Sequence, residues 1–391
     1  MVGGDGDLAL DPGMAQGFEA GIARFNQAGG LDGRKIQFAG FLDDGLSAQT
    51  NLTNAQQLVE NKHVMAITPF QSAVATASTG TFLAQSQVPV IGWGTNVIFT
   101  TQSNWAFGIN GNQNNDNVQG LAGATQILAA TGNAKTPSKV KVAAIAENIS
   151  PAITANNAVA GVLKSAGMQI VYKQAPIAVL GTTNYAPYAQ AIIASGANVA
   201  FEVLDAPDCV GLAAALKSAG FKGIIVNGQT YTPGQTASQP NQTAALDGVY
   251  IASEFPADEN NTPATKQAQK DLVSIGQPPH LTFGVSIGYW SAIVFEQMLK
   301  ATLASVGGDP NKVTGVTLQQ TVTKGFTYTD PITGGIGTEA FPAASTLPTG
   351  CGTLLKSVAT SYKQIVPYQC NGVVNIVTQK KLNPLTGKPI S

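Results

Sequence analysis

The feature that most constrains this chain is a repeated alternation of short apolar runs with longer segments whose apolar residues recur every three or four positions. Asp11-Pro12 reads as an N-cap and first-turn proline, because a proline there gives up only an amide that would be unpaired anyway. The helix it opens carries Met14, Phe18, Ile22 and Phe25 on one face and stops at Gly29-Gly30. Ile36 to Phe41 reads as a strand closed by Asp43-Asp44, Ser47 caps a second helix running through Leu58-Val59, and Val64 to Ile67 is the next strand. The pattern continues with strands at Pro89–Gly92, Lys139–Ile145, Gln169–Tyr172, Val199–Leu204 and Gly223–Val226, and helices over Ala73–Leu83, Val118–Ala130, Ala155–Ala166, Tyr185–Ser195 and Val210–Ala219. Such alternation indicates parallel sheets with helices on both faces. The order makes two units, near residues 1–115 and 118–250, followed by a long helix over Gly284–Leu303 and late strands around 361–367 and 372–377.

Composition narrows the function. Lys+Arg number 21 and Asp+Glu 22, so charged residues make up 11% of the 391, against about 25% in typical soluble domains. A net charge of −1 offers no surface to neutralise phosphates, so nucleic acid is excluded as a partner. No stretch approaches the ~20 consecutive apolar residues of a spanning helix, and residues 1–9 lack the basic and apolar regions of a signal peptide, which was removed or not included. Of three cysteines, Cys351 and Cys370 bracket 18 residues, a loop whose closure would stabilise by about 3 kcal/mol. A bridge in an exported protein and two reduced thiols in a cytosolic one both fit this spacing.

Catalytic readings fail on their own chemistry. Gly284-Val285-Ser286-Ile287-Gly288 matches the G-x-S-x-G nucleophile elbow, but the elbow needs a preceding strand and a histidine later in the chain, and His63 and His280 both precede it. Two histidines and no C-x-x-C leave no metal-ligand set, and those histidines read as surface or satisfied loop residues. No phosphate-binding glycine loop occurs, so no cofactor is expected. A two-unit α/β chain of this kind is a binder, with its ligand at the C-terminal ends of the strands.

Gly17 through Gly33 (GFEAGIARFNQAGGLDG), then Arg34-Lys35-Ile36, Asp43-Asp44, Leu58-Val59 and the Val64 strand resemble the opening of the type I periplasmic binding proteins, in the branch similar to leucine/isoleucine/valine-binding protein. The resemblance implies an α/β fold of two Rossmann-like lobes joined by a three-segment hinge, with the ligand in the interlobe cleft. It implies an extracytoplasmic solute-binding protein of an ABC importer, not an enzyme, with a small molecule and a membrane permease as partners. Residues 1–115 and 253–340 would form the first lobe, and 116–252 and 341–391 the second. Export then favours a Cys351–Cys370 disulfide with Cys209 free, and a monomer is expected.

Residue by residue, the resemblance places Gln71 and Ser72, ahead of the helix after the third strand, and Gly94 and Thr95, after the fourth, on the ligand; Trp93 departs from the small residues usual there and would either stack on the ligand or pack on a neighbouring loop. In the family a serine and nearby amides hold the ligand's carboxylate, as a helix N-terminus favours. In the second lobe Ser150 stands where amino-acid-binding members carry an aromatic residue, and Gln229 stands where they carry the acid that pairs with an ammonium. A neutral amide cannot make that charge-assisted bond. Asp205 is the substitute partner that would keep an amino acid possible, and Tyr231 completes the expected set. With Leu10 at the family's N-lobe aromatic position, a carboxylate-bearing or apolar ligand without an amine is expected over amino acid transport. A ligand-sensing domain of a regulator or receptor is the alternative, and a serine hydrolase through Ser286 the third. The beginning departs as well: only Met1-Val2 precede the glycines, so the first sheet should lack its central strand.

Overall fold

A computed structural model describes residues 1–390 apart from 102–103, 114, 116, 235–239 and 330–337. The chain divides into two compact units, unit 1 (Met1–Asn115, Thr262–Thr349, Asn383–Lys388) and unit 2 (Asp116–Asn261, Gly350–Leu382, Pro389–Ser391).

Unit 1 begins with β1 (Val2–Gly6), α1 (Met14–Gln27), β2 (Phe38–Asp43), α2 (Ala48–Gln56), β3 (Ala66–Gln71), α3 (Ala77–Gln85), β4 (Val90–Gly92), α4 (Val97–Thr101) and β5 (Ala106–Gly108). Its strands form one parallel sheet in the order β2-β1-β3-β4-β5. Unit 2 continues with β6 (Val118–Gly120), α5 (Ala122–Thr131), β7 (Lys141–Glu147), α6 (Ser150–Ser165), β8 (Gln169–Ile177), α7 (Ala186–Ala194), β9 (Val199–Val203), α8 (Ala206–Ser218), β10 (Ile224–Asn227), α9 (Pro240–Leu246) and β11 (Tyr250–Ser253). The chain then returns to unit 1 with α10 (Pro263–Ser274), α11 (Phe283–Ser305), α12 (Gly315–Gly325) and the antiparallel pair β12 (Phe326–Thr329) and β13 (Thr338–Phe341). It ends in unit 2 with β14 (Cys351–Val358), β15 (Ser361–Cys370), β16 (Val373–Asn375) and β17 (Lys380–Leu382).

The large sheet of unit 2 runs β15-β14-β11-β10-β9-β7-β8, parallel from β11 to β8 and extended by antiparallel β14 and β15. Taken in order of appearance, β8-β7-β9-β10-β11 repeats the 2-1-3-4-5 order of unit 1. Alternation along its strands sorts the core onto two faces. Val142, Val199 and Val226 pack with Ala124, Ile127, Val162 and Leu163 on one, and Ala143, Ala200 and Ile225 pack with Ile192, Leu212 and Leu216 on the other.

The missing central strand is present. Val2–Gly6 lies fully buried between β2 and β3, although glycine is depleted in strands. Its small residues are needed: a Cβ on Gly3 would stand 2.5 Å from Leu58 Cδ2, and one on Gly4 2.4 Å from the Phe41 ring. The apolar cover comes from neighbours instead of from the strand itself. Three further expectations shift. α1 starts at Met14 behind a left-handed Gly13, so Asp11 and Pro12 lie in the turn before it. Residues 118–120 leave the expected helix to pair with β16 as β6. Unit 2 keeps the chain to Asn261, because β11 pairs with β14 and Asn260 bonds to Thr353 and Gln364; the units exchange again after Thr349.

The G-x-S-x-G run opens α11, capped by Thr282, with no strand before it. A Cβ on Gly284 would lie 2.3 Å from Pro12 O, and one on Gly288 1.9 Å from Met14 O. Gly17 and Gly21 supply the matching gaps on α1, against Val285 O at 2.1 Å and Ala292 Cβ at 2.6 Å. Ser286 is buried and bonds to Leu281 O. The motif is a close helix crossing.

Cys351 and Cys370 are directly opposed across β14 and β15 and form a disulfide, while Cys209 is free and buried. Alkylation of the denatured, unreduced protein should therefore label one thiol, and a Cys351→Ser/Cys370→Ser variant should lose about 3 kcal/mol in urea unfolding. Three labelled thiols would refute the bridge.

Candidate functional site

In open parallel sheets with this strand order, ligands sit beyond the C-terminal strand ends where the order reverses. In unit 1 that point lies between β1 and β3, and in unit 2 between β7 and β9. Both ends carry buried acids.

In unit 1, Asp5 Oδ1 and Oδ2 accept from Asn54 Nδ2 and Asn51 Nδ2, each at 3.0 Å. Asp44, buried at the end of β2, accepts the Ser72 hydroxyl at 2.5 Å and the Leu46 amide at 3.0 Å. Ser72 Oγ also accepts from the amides of Val74 and Ala75. A hydroxyl has one proton, and here it goes to Asp44 rather than outward. This Ser72 turn occupies residues 72–76, so α3 starts at Ala77 rather than Ala73, and no side chain caps its first turn. Gln71, buried at the end of β3, has an Oε1 with no hydrogen-bond partner. Asp7 behaves similarly: its Oδ1 accepts the amides of Ala9 and Leu10, and its buried Oδ2 has no partner.

The loop after β4 lies beside this one. Asn96 Nδ2 donates to Ser72 O at 2.7 Å, and Trp93 N donates to Phe70 O at 3.0 Å. Gly94 donates to Asn110 Oδ1, and a Cβ there would meet Gly111 O at 1.9 Å, so backbone approach dictates glycine. Trp93 packs edge-on against Phe283 with ring centroids 4.9 Å apart. Gln71, Ser72, Trp93, Gly94 and Thr95 thus come together on two adjacent loops of unit 1.

In unit 2, Glu147 ends β7 and its Oε1 accepts the Asp205 amide. Asp205 is the N-cap of α8, its Oδ1 accepting the Asp208 amide at 2.7 Å, and Asp208 Oδ1 accepts the Tyr185 hydroxyl. Ser150 is exposed in the first turn of α6, three residues beyond Glu147. Gln229 is half-buried in the loop after β10, beside Asn227 and Thr230, whose side chains bond to each other. The Tyr231 hydroxyl donates to Glu259 at 2.7 Å and accepts from the Asp258 amide, and its ring packs on Tyr362. These contacts lie within unit 2.

Burial raises the carboxyls of this region. Asp5 is held well above the usual range, and Asp7 and Asp44 are raised, in each case chiefly by desolvation. Glu147 is pushed up to about 8 by burial and by Asp205 and Asp208, and Asp205 to about 6 by burial and by Asp208. Glu202, inside β9 with Asn227 Nδ2 at 3.2 Å, is pushed up to about 8 by burial. The sequence reading missed Asp5, Asp7, Glu147, Asp208 and Glu202 as a group. A signal existed: Ala-Ala-Ile-Ala-Glu and Val-Ala-Phe-Glu-Val put an acid at or inside an apolar strand.

A family model described as periplasmic binding protein matches residues 2–357. The chain belongs to that family. Its type I members are solute-binding proteins of ABC transporters and not enzymes, and this one carries no helix, among the described residues, long and apolar enough to cross a membrane. No curated protein matches. Among solved structures, an ABC transporter solute-binding protein from R. palustris in complex with 4-hydroxybenzoate is 20% identical, with a TM-score of 0.72 over 94% of this chain and 96% of that one. A second from R. palustris, in complex with benzoate, is 14% identical with a TM-score of 0.70 over 95% and 97%. A fatty acid ABC transporter substrate-binding protein from Thermomonospora curvata is 17% identical with a TM-score of 0.74 over 94% and 91%. At these identities the likeness establishes the fold.

Proposed function

We propose that this solute-binding protein works outside the cytoplasm and delivers a small organic molecule to an ABC permease, the ligand bearing a carboxylate or being largely apolar. The observation that carries the reading is the pair of loops after β3 and β4. They combine an aromatic wall, Trp93 against Phe283, with the uncapped first turn of α3, whose amides suit an anion. Gln71 Oε1 is an acceptor left for a ligand hydroxyl. The R. palustris proteins solved with benzoate and 4-hydroxybenzoate support the same ligand class. On the other side of the choice, Gln229 gives no charge to an ammonium, and Asp205 is buried, with one oxygen capping α8.

Thermal unfolding against a panel of aromatic carboxylates, fatty acids and amino acids tests this, together with mass spectrometry of whatever the freshly purified protein releases on denaturation. A carboxylate lacking an amine should raise the midpoint in a concentration-dependent way. Trp93→Ala and Thr95→Ala should each weaken that binding by about tenfold or more, the loss of one good contact. Binding confined to α-amino acids would overturn the ligand class, and no binding by any panel member with nothing released would overturn the function.

A further inference from the structure

Three carboxylates at the switch point of unit 2 lack a compensating charge. Glu147, Asp205 and Asp208 each place an oxygen within 4.8 Å of the other two, in residues only 4%, 5% and 1% exposed. One oxygen of each has an internal donor: the Asp205 amide, the Asp208 amide and the Tyr185 hydroxyl respectively. Asp205 Oδ2 and Asp208 Oδ2 are fully buried and have no hydrogen-bond partner. The backbone N–H of Leu180 lies near both aspartates and lowers them, against the larger effect of burial, which raises them. None of the ion pairs among the described residues involves the three. Ile145, Leu204, Cys209 and Leu212, close to the three along the chain, belong to the apolar core. Clustered carboxylates in such a setting repel one another and lose hydration, and the partial positive charge at the start of α8 offsets little of that.

We propose that Glu147, Asp205 and Asp208 form a calcium-binding site. The donor set is oxygen alone, since Cys209 Sγ is directed to Leu204 O, and an all-carboxylate set suits a hard cation rather than zinc. An ion about 2.3–2.6 Å from each ligand spans oxygens up to roughly 5 Å apart, which the observed separations satisfy. Magnesium is a poorer fit, because it demands a near-ideal octahedron at about 2.0–2.1 Å and each of these carboxylates is already held by an internal donor. The ion would tie the end of β7 to the turn between β9 and α8. Its role goes beyond solute capture, although it lies at the switch point of unit 2, the end of the sheet where this fold places a solute. It also consumes the free oxygen of Asp205, leaving no carboxylate there for a ligand's ammonium.

The test uses the full chain, stripped with EDTA and dialysed, then titrated with CaCl2 alone by calorimetry and thermal unfolding. Binding of one ion and a rise of about 5 °C at a hundredfold excess over Kd are expected, with a much smaller rise in MgCl2. Asp208→Asn should abolish the calcium response while leaving the midpoint without metal unchanged or higher, because it removes a buried charge. Glu202→Gln, an equally buried acid outside the cluster, should keep the response. If Asp208→Asn does not fold, terbium emission sensitised through Tyr185 in the wild-type chain, displaced by calcium and lost in Tyr185→Phe, gives the same decision. Absence of both heat and shift on calcium addition would overturn the site, as expected if Glu147 and Asp205 share a proton instead. A calcium response that persists in Asp205→Asn/Asp208→Asn, or protection by ethylammonium but not by calcium, would overturn it too.

Discussion

Replacing Gly288 with alanine should cost about 3 kcal/mol or more in urea unfolding, although alanine is the better helix former. The added Cβ would stand 1.9 Å from Met14 O and 2.8 Å from Phe18 N, both backbone atoms. A side chain in the way can rotate, whereas a helix backbone can only be pushed aside. Pushing α1 away would loosen Met14, Phe18 and Ile22, all buried, along with Tyr289 and Ala292 on the opposing face. Gly123→Ala is the matched control. It too lies within a helix, but a Cβ there meets nothing within 4 Å, so that variant should gain up to about 1 kcal/mol from helix propensity alone. Equal effects at the two positions would show that α1 and α11 do not meet through their glycines.

The second large effect is on pH. Glu202, whose folded-state value is about 8 against 4.5 when unexposed to burial, holds a proton in the native state that the unfolded chain releases. Its contribution to stability is full below about 4.5 and is lost as pH rises through 8. Asp5 and Asp44, raised by burial, act in the same direction. Between pH 5.5 and pH 8 the Glu202 contribution alone should fall by about 3 kcal/mol, lowering the thermal midpoint by about 5 °C or more. Glu202→Gln keeps the shape of the side chain and removes the titration, so its midpoint should vary less over this range than that of the wild type. A wild-type midpoint that is flat or rises from pH 5.5 to 8 would show that these carboxyls stay ionised in the fold.

Much of the architecture was legible because apolar periodicity distinguishes strands from helices, and α1, α2, α6, α8 and α11 fall close to where that periodicity puts them. The Cys351–Cys370 pairing was legible only once export was inferred from the family phrase. β1 was not, since a strand of glycines shows its burial only through the Leu58 and Phe41 side chains that cover it. Nor was the delayed start of α3, which depends on Asp44 reaching Ser72 across 28 residues of sequence. The buried acids escaped notice for a similar reason. A carboxylate is expected at the surface, and only the sheet's register shows that Glu202 sits inside β9, level with Ile145 and Asn227. The contacts of Tyr231 were not legible either, because its partners Glu259 and Tyr362 are distant in sequence.

The interleaving of the two units along the chain bears on how the protein is made. The glycine face of α1 emerges from the ribosome early, yet its partner α11 follows more than 250 residues later, after the whole parallel core of unit 2. Unit 2 in turn waits for β14 and β15 to cover the edge at β11. A growing chain therefore leaves the glycine face of α1 uncovered until α11 is made, and no continuous stretch of these residues makes up either unit by itself.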